Sequence, residues 1–108
     1  MQDTMYDELV SGLLRVLEGQ AIRIVLYGSV ARGTNETDSD VDIAVFVHGR
    51  ISRDKDERLS DIVVDLNLKY NKVFSVIDIE ESVYQKWRSV TPFYQNVDKE
   101  GLVLWKAA

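Results

Sequence analysis

Leu26-Tyr27-Gly28-Ser29-Val30-Ala31-Arg32-Gly33-Thr34-Asn35-Glu36-Thr37-Asp38-Ser39-Asp40-Val41-Asp42-Ile43-Ala44-Val45-Phe46 joins two apolar, β-branched runs through a polar loop. The first run, Ile22 to Tyr27, is long enough for a strand, and Gly28-Ser29 turns the chain at its end. Gly28 has no side chain, so a ligand can approach the backbone there. Ser29 offers a hydroxyl and an amide where a short helix, Ser29 to Arg32, would start, a place that favours anions. Together they form a candidate phosphate seat. Asp40 and Asp42 flank one residue at the start of the second strand, Val41 to Val47. In a regular strand both carboxylates project from one face, with Cα atoms about 6.6 Å apart. Such a pair suits magnesium, a hard cation that takes a few carboxylates plus phosphate oxygens. Two such ions about 3.5–4 Å apart can hold the attacking and leaving oxygens of an in-line displacement. Arg32 adds positive charge against a triphosphate.

Outward from this stretch, Tyr6, Leu9, Val10, Leu13, Leu14 and Leu17 recur at helical steps, and Gly19 is the predicted stop. Downstream, Asp56 to Tyr70 places Leu59, Ile62, Val63, Leu66 and Tyr70 on one face of a long helix that should cover the sheet. Val73 to Asp78 reads as a third strand, and Glu81 to Val90 as a helix burying Val83 and Trp87. Pro92 opens a short helix through Tyr94 and Val97, and Gly101 releases the chain into an edge strand, Leu102 to Trp105. The order α-β-α-β-α-β-α-α-β predicts an α+β fold, a small mixed sheet with helices on one or both faces.

The 108 residues contain no linker-like stretch and read as a single domain, 1–108, with an ordinary balance of 45% apolar and 29% charged residues. Having no cysteine, the chain has no disulfide, thiolate metal site or cysteine nucleophile, so a metal must rest on oxygen ligands. Thirteen basic against eighteen acidic residues give a net charge of -5, the wrong sign for gripping a nucleic-acid backbone. With no basic-then-apolar leader and no membrane-length apolar run, the expected location is the cytoplasm.

Gly28-Ser29, ten intervening residues and then Asp40-Val41-Asp42, with Ala31-Arg32-Gly33 and Ser39 between, resembles the signature of the DNA polymerase beta-like nucleotidyltransferase superfamily. In length and layout the whole chain resembles its minimal nucleotidyltransferase (MNT) group. A weaker similarity extends to Pro92-Phe93-Tyr94-Gln95-Asn96-Val97 and Glu100-Gly101. The resemblance implies a magnesium-dependent enzyme moving AMP from ATP to an acceptor hydroxyl, with Gly28, Ser29 and Arg32 on the nucleotide and Asp40 and Asp42 on Mg2+. It also implies an antitoxin that adenylylates a tyrosine of a HEPN-domain ribonuclease toxin. A third carboxylate on a later strand usually completes such a site, and here the chain departs from the pattern, reading Lys72-Val73-Phe74-Ser75 where an aspartate is familiar. Asp78 is the first candidate for that role and Asp65 the second; a site with neither is the remaining alternative.

Each residue also has a plainer reading. Gly-Ser turns and Asp-x-Asp pairs are individually ordinary turn chemistry, and their combination between two strands is what points to a site. Asp38 reads as a loop or strand-start cap, and His48 as a solvated loop residue. Trp87, Trp105, Phe93 and Tyr94 are not interleaved with basic residues, so they read as packing. The mixed run Arg53 to Arg58 reads as a solvated helix start. Two rival functions stand beside protein adenylylation: a binding module that neutralises a partner by contact alone, and transfer to a small molecule such as an aminoglycoside.

Overall fold

The computed structural model describes residues 3–33 and 40–108. Helix α1 (Asp3–Leu17) ends as Glu18 adopts a φ of 53°, one residue before the predicted stop at Gly19. A 3-10 turn (Glu18–Gln20) leads into β1 (Ala21–Tyr27), and the short α2 (Gly28–Arg32) is closed by Gly33 at φ 75°. There follow β2 (Val41–Val47), α3 (Arg53–Tyr70), β3 (Phe74–Glu80), α4 (Glu81–Trp87), α5 (Pro92–Glu100) and β4 (Leu102–Lys106). This is the predicted order of strands and α-helices.

Helix α3 starts three residues before Asp56, because its first turn is specified by capping rather than by apolar spacing. The Ser52 hydroxyl accepts from the Lys55 N–H at 3.2 Å, and Arg53–Glu57 and Asp54–Arg58 pair along the exposed surface. Its other end is closed by Asn71 in the left-handed region, φ 51°.

The sheet is mixed, in the order β3-β2-β1-β4. Strand β1 runs antiparallel to β2 and β4, while β2 and β3 are parallel and joined through α3. Alternation along the strands divides the core. Ile24, Leu26, Val41, Ile43, Val45 and Phe74 face α1 and α3, where they meet Leu9, Leu13, Leu59 and Leu66. Val25, Ala44, Phe46 and Ile79 face α4 and α5, where they meet Tyr84 and Val97. Gly12 fits α1 closely to α3, since a Cβ there would lie 2.9 Å from Ile62 Cγ2.

The predicted buried face of α4 is corrected. The helix ends at Trp87, with Val83 40% and Trp87 47% exposed, and Tyr84 is its buried residue. The Tyr84 ring lies 4.9 Å from Phe46 and 5.6 Å from Tyr94, both edge-on, and its hydroxyl donates to the Asp98 carboxylate. An aromatic ring with a satisfied polar tip outcompetes the purely apolar stripe for this position. Trp105 and Tyr94 pack partly buried against the two cores, as their reading as packing residues requires.

Candidate phosphate and metal site

Because β1 and β2 are antiparallel, the end of one meets the start of the other, and Tyr27 stands directly opposite Asp42. The N–H of Val41 donates to the Val73 carbonyl at 2.8 Å, which ties the start of β2 to the strand beyond it. Asp42 shares the sheet face of Ala44 and Phe46. Its carboxylate lies against Gly28, whose φ of 79° belongs to the left-handed region. A Cβ at residue 28 would stand 3.2 Å from Asp42 Cγ and closer still to Oδ2. Gly28 therefore serves both the turn and the approach of the carboxylate.

Burial raises the Asp42 carboxyl from its ordinary value, the charge of Asp40 adds to this, and Arg32 opposes it. Burial, and then the charge of Asp42, likewise raise the Tyr27 hydroxyl. Two carboxylates with mutual repulsion and partial desolvation fit a hard dication, which relieves both penalties. Asp40 and Asp42 are thus the residues here that could hold magnesium. Among the described residues no three acidic, histidine or cysteine side chains gather into a metal-binding group, so substrate oxygens and water would fill the remaining positions.

Neither candidate for a third carboxylate joins this pair. Asp78 stands opposite Val45, three residues along from Asp42, about 10 Å at strand rise. It also faces the other side of the sheet, in a cleft with Val45, Leu59, Val76 and Asp56. Asp65 lies exposed on α3, in a cleft with α1 residues Asp7, Glu8 and Ser11. Reading Asp78 as an acid of the Asp40–Asp42 site is therefore corrected: matching alternation with Phe74 and Val76 put it on the wrong face. Level with Asp42 on β3 is Ser75. His48 lies at the far end of β2, its N–H on the Gln20 carbonyl at 2.9 Å. Asp38 lies outside the described residues.

Arg32 ends α2 beside the pair but is not a solitary cation. Its Nη1 is 2.8 Å from Oε2 of Glu100, the last residue of α5. Phe93, near the start of the same helix, meets Tyr27 edge-on at 5.6 Å. Sequence reasoning missed Glu100 as part of this corner; the signal was present in the closing Glu100-Gly101 segment.

The family model described as "Polymerase beta, Nucleotidyltransferase" matches residues 14–107. Two proteins of Methanocaldococcus jannaschii, both named "Putative protein adenylyltransferase", are similar over almost the whole chain. One is 34% identical over 91% of this chain and 92% of its own length, the other 27% identical over 88% and 90%. Among solved structures, a toxin-antitoxin complex with AMP-PNP superposes with a TM-score of 0.64 at 23% identity, covering 94% of this chain and 73% of the matched one. A complex of tri-AMPylated Shewanella oneidensis HEPN toxin with MNT antitoxin gives 0.62 at 21% identity, covering 99% and 74%. The glycine-serine turn against an aspartate pair at the start of β2, on a mixed sheet of this topology, and the family match over nearly all of its length lead to one conclusion: the chain belongs to the polymerase beta nucleotidyltransferase family.

Proposed function

We propose that this nucleotidyltransferase moves AMP from ATP, with Mg2+, onto a tyrosine hydroxyl of a HEPN-domain toxin and so acts as its antitoxin. The observation that carries the reading is the packing of the Asp42 carboxylate on Gly28, which joins the metal-ligand candidates to the phosphate turn. The names of the two Methanocaldococcus jannaschii relatives and the AMPylated toxin in one structural neighbour support a protein acceptor.

In this reading the Gly28-Ser29 turn seats the phosphates and Arg32 balances their charge, so that the α-phosphorus is held in line with the incoming hydroxyl. Asp40 and Asp42 hold the metal, which when bound neutralises charge on the phosphates. The acceptor oxygen bonds to the α-phosphorus and gives up its proton to solvent, as the bond from the α-phosphorus to the oxygen bridging to the β-phosphate breaks and pyrophosphate leaves. The absence of a third acid at the pair among the described residues favours a second reading, neutralisation by contact alone. Incubation with α-labelled ATP, magnesium and a HEPN partner separates them. Label on the partner that needs Asp40 and Asp42 supports transfer; a tight complex with no label supports contact alone.

A further inference from the structure

Helix α5 touches the chain on both sides of the Gly28-Ser29 turn. Phe93 lies edge-on to Tyr27, the residue before the turn, at 5.6 Å and 86°. Glu100, one helix length later, binds Arg32, the last residue of α2, at 2.8 Å. The end of α5 is itself fixed. Val97 is buried, the Gly101 N–H donates to its carbonyl at 2.9 Å, and Leu102 pairs with Leu26 on β1. Gly101 has no space for a Cβ between the Val97 carbonyl and the Val25 side chain. Glu100 therefore projects from a pinned corner.

Arg32 is held less firmly, by a helix whose Val30 and Ala31 are only partly buried against the core. Helix α2 has only five residues, none buried, and is closed by a glycine. Among the described residues, Glu100 is the hydrogen-bond partner of its guanidinium. With side chains 46% and 28% exposed, this pair adds little to stability, because exposed ion pairs are worth about 0–1 kcal/mol. What it supplies is orientation. A guanidinium is a planar fork of five donors, so one nitrogen can be held while others remain for a phosphate. Arg32 also lies near enough to Asp42 to hold its carboxyl below where burial and Asp40 would put it.

We propose that Glu100 is a positioning residue for nucleotide binding: it holds Arg32 at the Gly28–Asp42 corner, so that the guanidinium is pre-set for the triphosphate. This rests on the reading of Gly28, Ser29, Asp40 and Asp42 as a metal-nucleotide site. It gives the Glu100-Gly101 segment a task, the glutamate to orient Arg32 and the glycine to let α5 close down on β1.

The test is calorimetric titration of Mg-ATP into the full chain. Glu100→Ala is expected to weaken binding ~3- to 10-fold, since the arginine must then be ordered by the ligand itself. Glu100→Gln, which keeps an acceptor oxygen, should retain most of the affinity. Arg32→Ala should lose at least as much as Glu100→Ala, and the double variant no more than Arg32→Ala alone. Equal or tighter binding by Glu100→Ala, or a double variant that loses both increments, overturns the proposal. If Glu100→Ala does not fold, Arg32→Lys decides: it keeps the charge without the fork and should bind more weakly than the parent though better than Arg32→Ala, whereas affinity like the parent's overturns the idea. The underlying site fails separately, through a parent chain whose binding is absent or indifferent to Asp40→Asn/Asp42→Asn.

Discussion

The Asp42 carboxylate occupies the space that a side chain at Gly28 would need. The two positions are fourteen residues apart in sequence and meet only because β1 and β2 are antiparallel with Tyr27 opposite Asp42. Gly28→Ala should therefore damage fold and site together. Alanine at a φ of 79° costs about 1–2 kcal/mol before any collision is counted. A fall in Tm of at least about 4 °C, with loss of Mg-ATP binding, is the expected result. A variant with parental affinity would show that the carboxylate does not need its place against the turn.

Ionised Asp42 should weaken the metal-free fold. Its carboxyl is raised by burial first, then by Asp40, with Arg32 opposing. A group with a raised folded-state pKa contributes stability that is fully present below its unfolded pKa and lost as pH rises through the folded one. At neutral pH, Asp42→Asn should thus melt above the parent without metal while losing transfer activity. The gap should close in acid, below the usual carboxylate range, and magnesium should raise the parent's Tm alone. A less stable Asn variant at neutral pH would contradict this sign.

The opposite sign holds between α1 and α3. The Lys69 ammonium lies 2.7 Å from Glu8, and the Tyr70 hydroxyl donates to the same carboxylate at 2.7 Å. The hydrogen bond from Lys69, then that from Tyr70, lowers the Glu8 carboxyl. Its contribution is present above the ordinary glutamate pKa and lost as pH falls through the lowered folded value. Glu8→Gln should melt below the parent at pH 7 and converge with it in acid. A gap that persists in strong acid would assign the loss to packing instead.

On α4, Tyr84→Ala should cost about 3–5 kcal/mol, the range for a buried aromatic, and Trp87→Ala no more than about 0.5 kcal/mol. Chemical denaturation of the two variants measures both, and the reverse ranking would restore the predicted face. The contrast also marks how far the sequence could be read. Strand and α-helix order followed from apolar periodicity, and Leu59, Ile62, Val63, Leu66 and Tyr70 do line the inner side of α3. Helix α4 is only seven residues long, too short for periodicity to fix its rotation, and Tyr84 is placed by Phe46 and Tyr94 from distant segments. The site divides in the same way. Gly28, Ser29, Asp40 and Asp42 are close in sequence and legible as a motif, whereas Glu100 reaches Arg32 from 68 residues away.

The same limit explains Asp78, and it yields opposed outcomes at two positions on β3. Alternation along one strand gives a face but not its neighbour's register, and register sets Asp78 beside Val45 on the face of α3. Asp78→Asn should leave magnesium affinity and AMP transfer within about twofold of the parent, because substitutions outside the contact shell seldom exceed ~0.5 kcal/mol. Ser75 pairs with Asp42 across the parallel ladder and shares its face. Ser75→Asp should bring a third carboxylate to the pair, destabilising the metal-free chain by like-charge repulsion and tightening magnesium binding when the ion is present. Thermal melts with and without magnesium read both effects. A larger magnesium-dependent rise in Tm for Ser75→Asp than for the parent is expected, and an Asp78→Asn variant that loses its magnesium response would return that residue to the site.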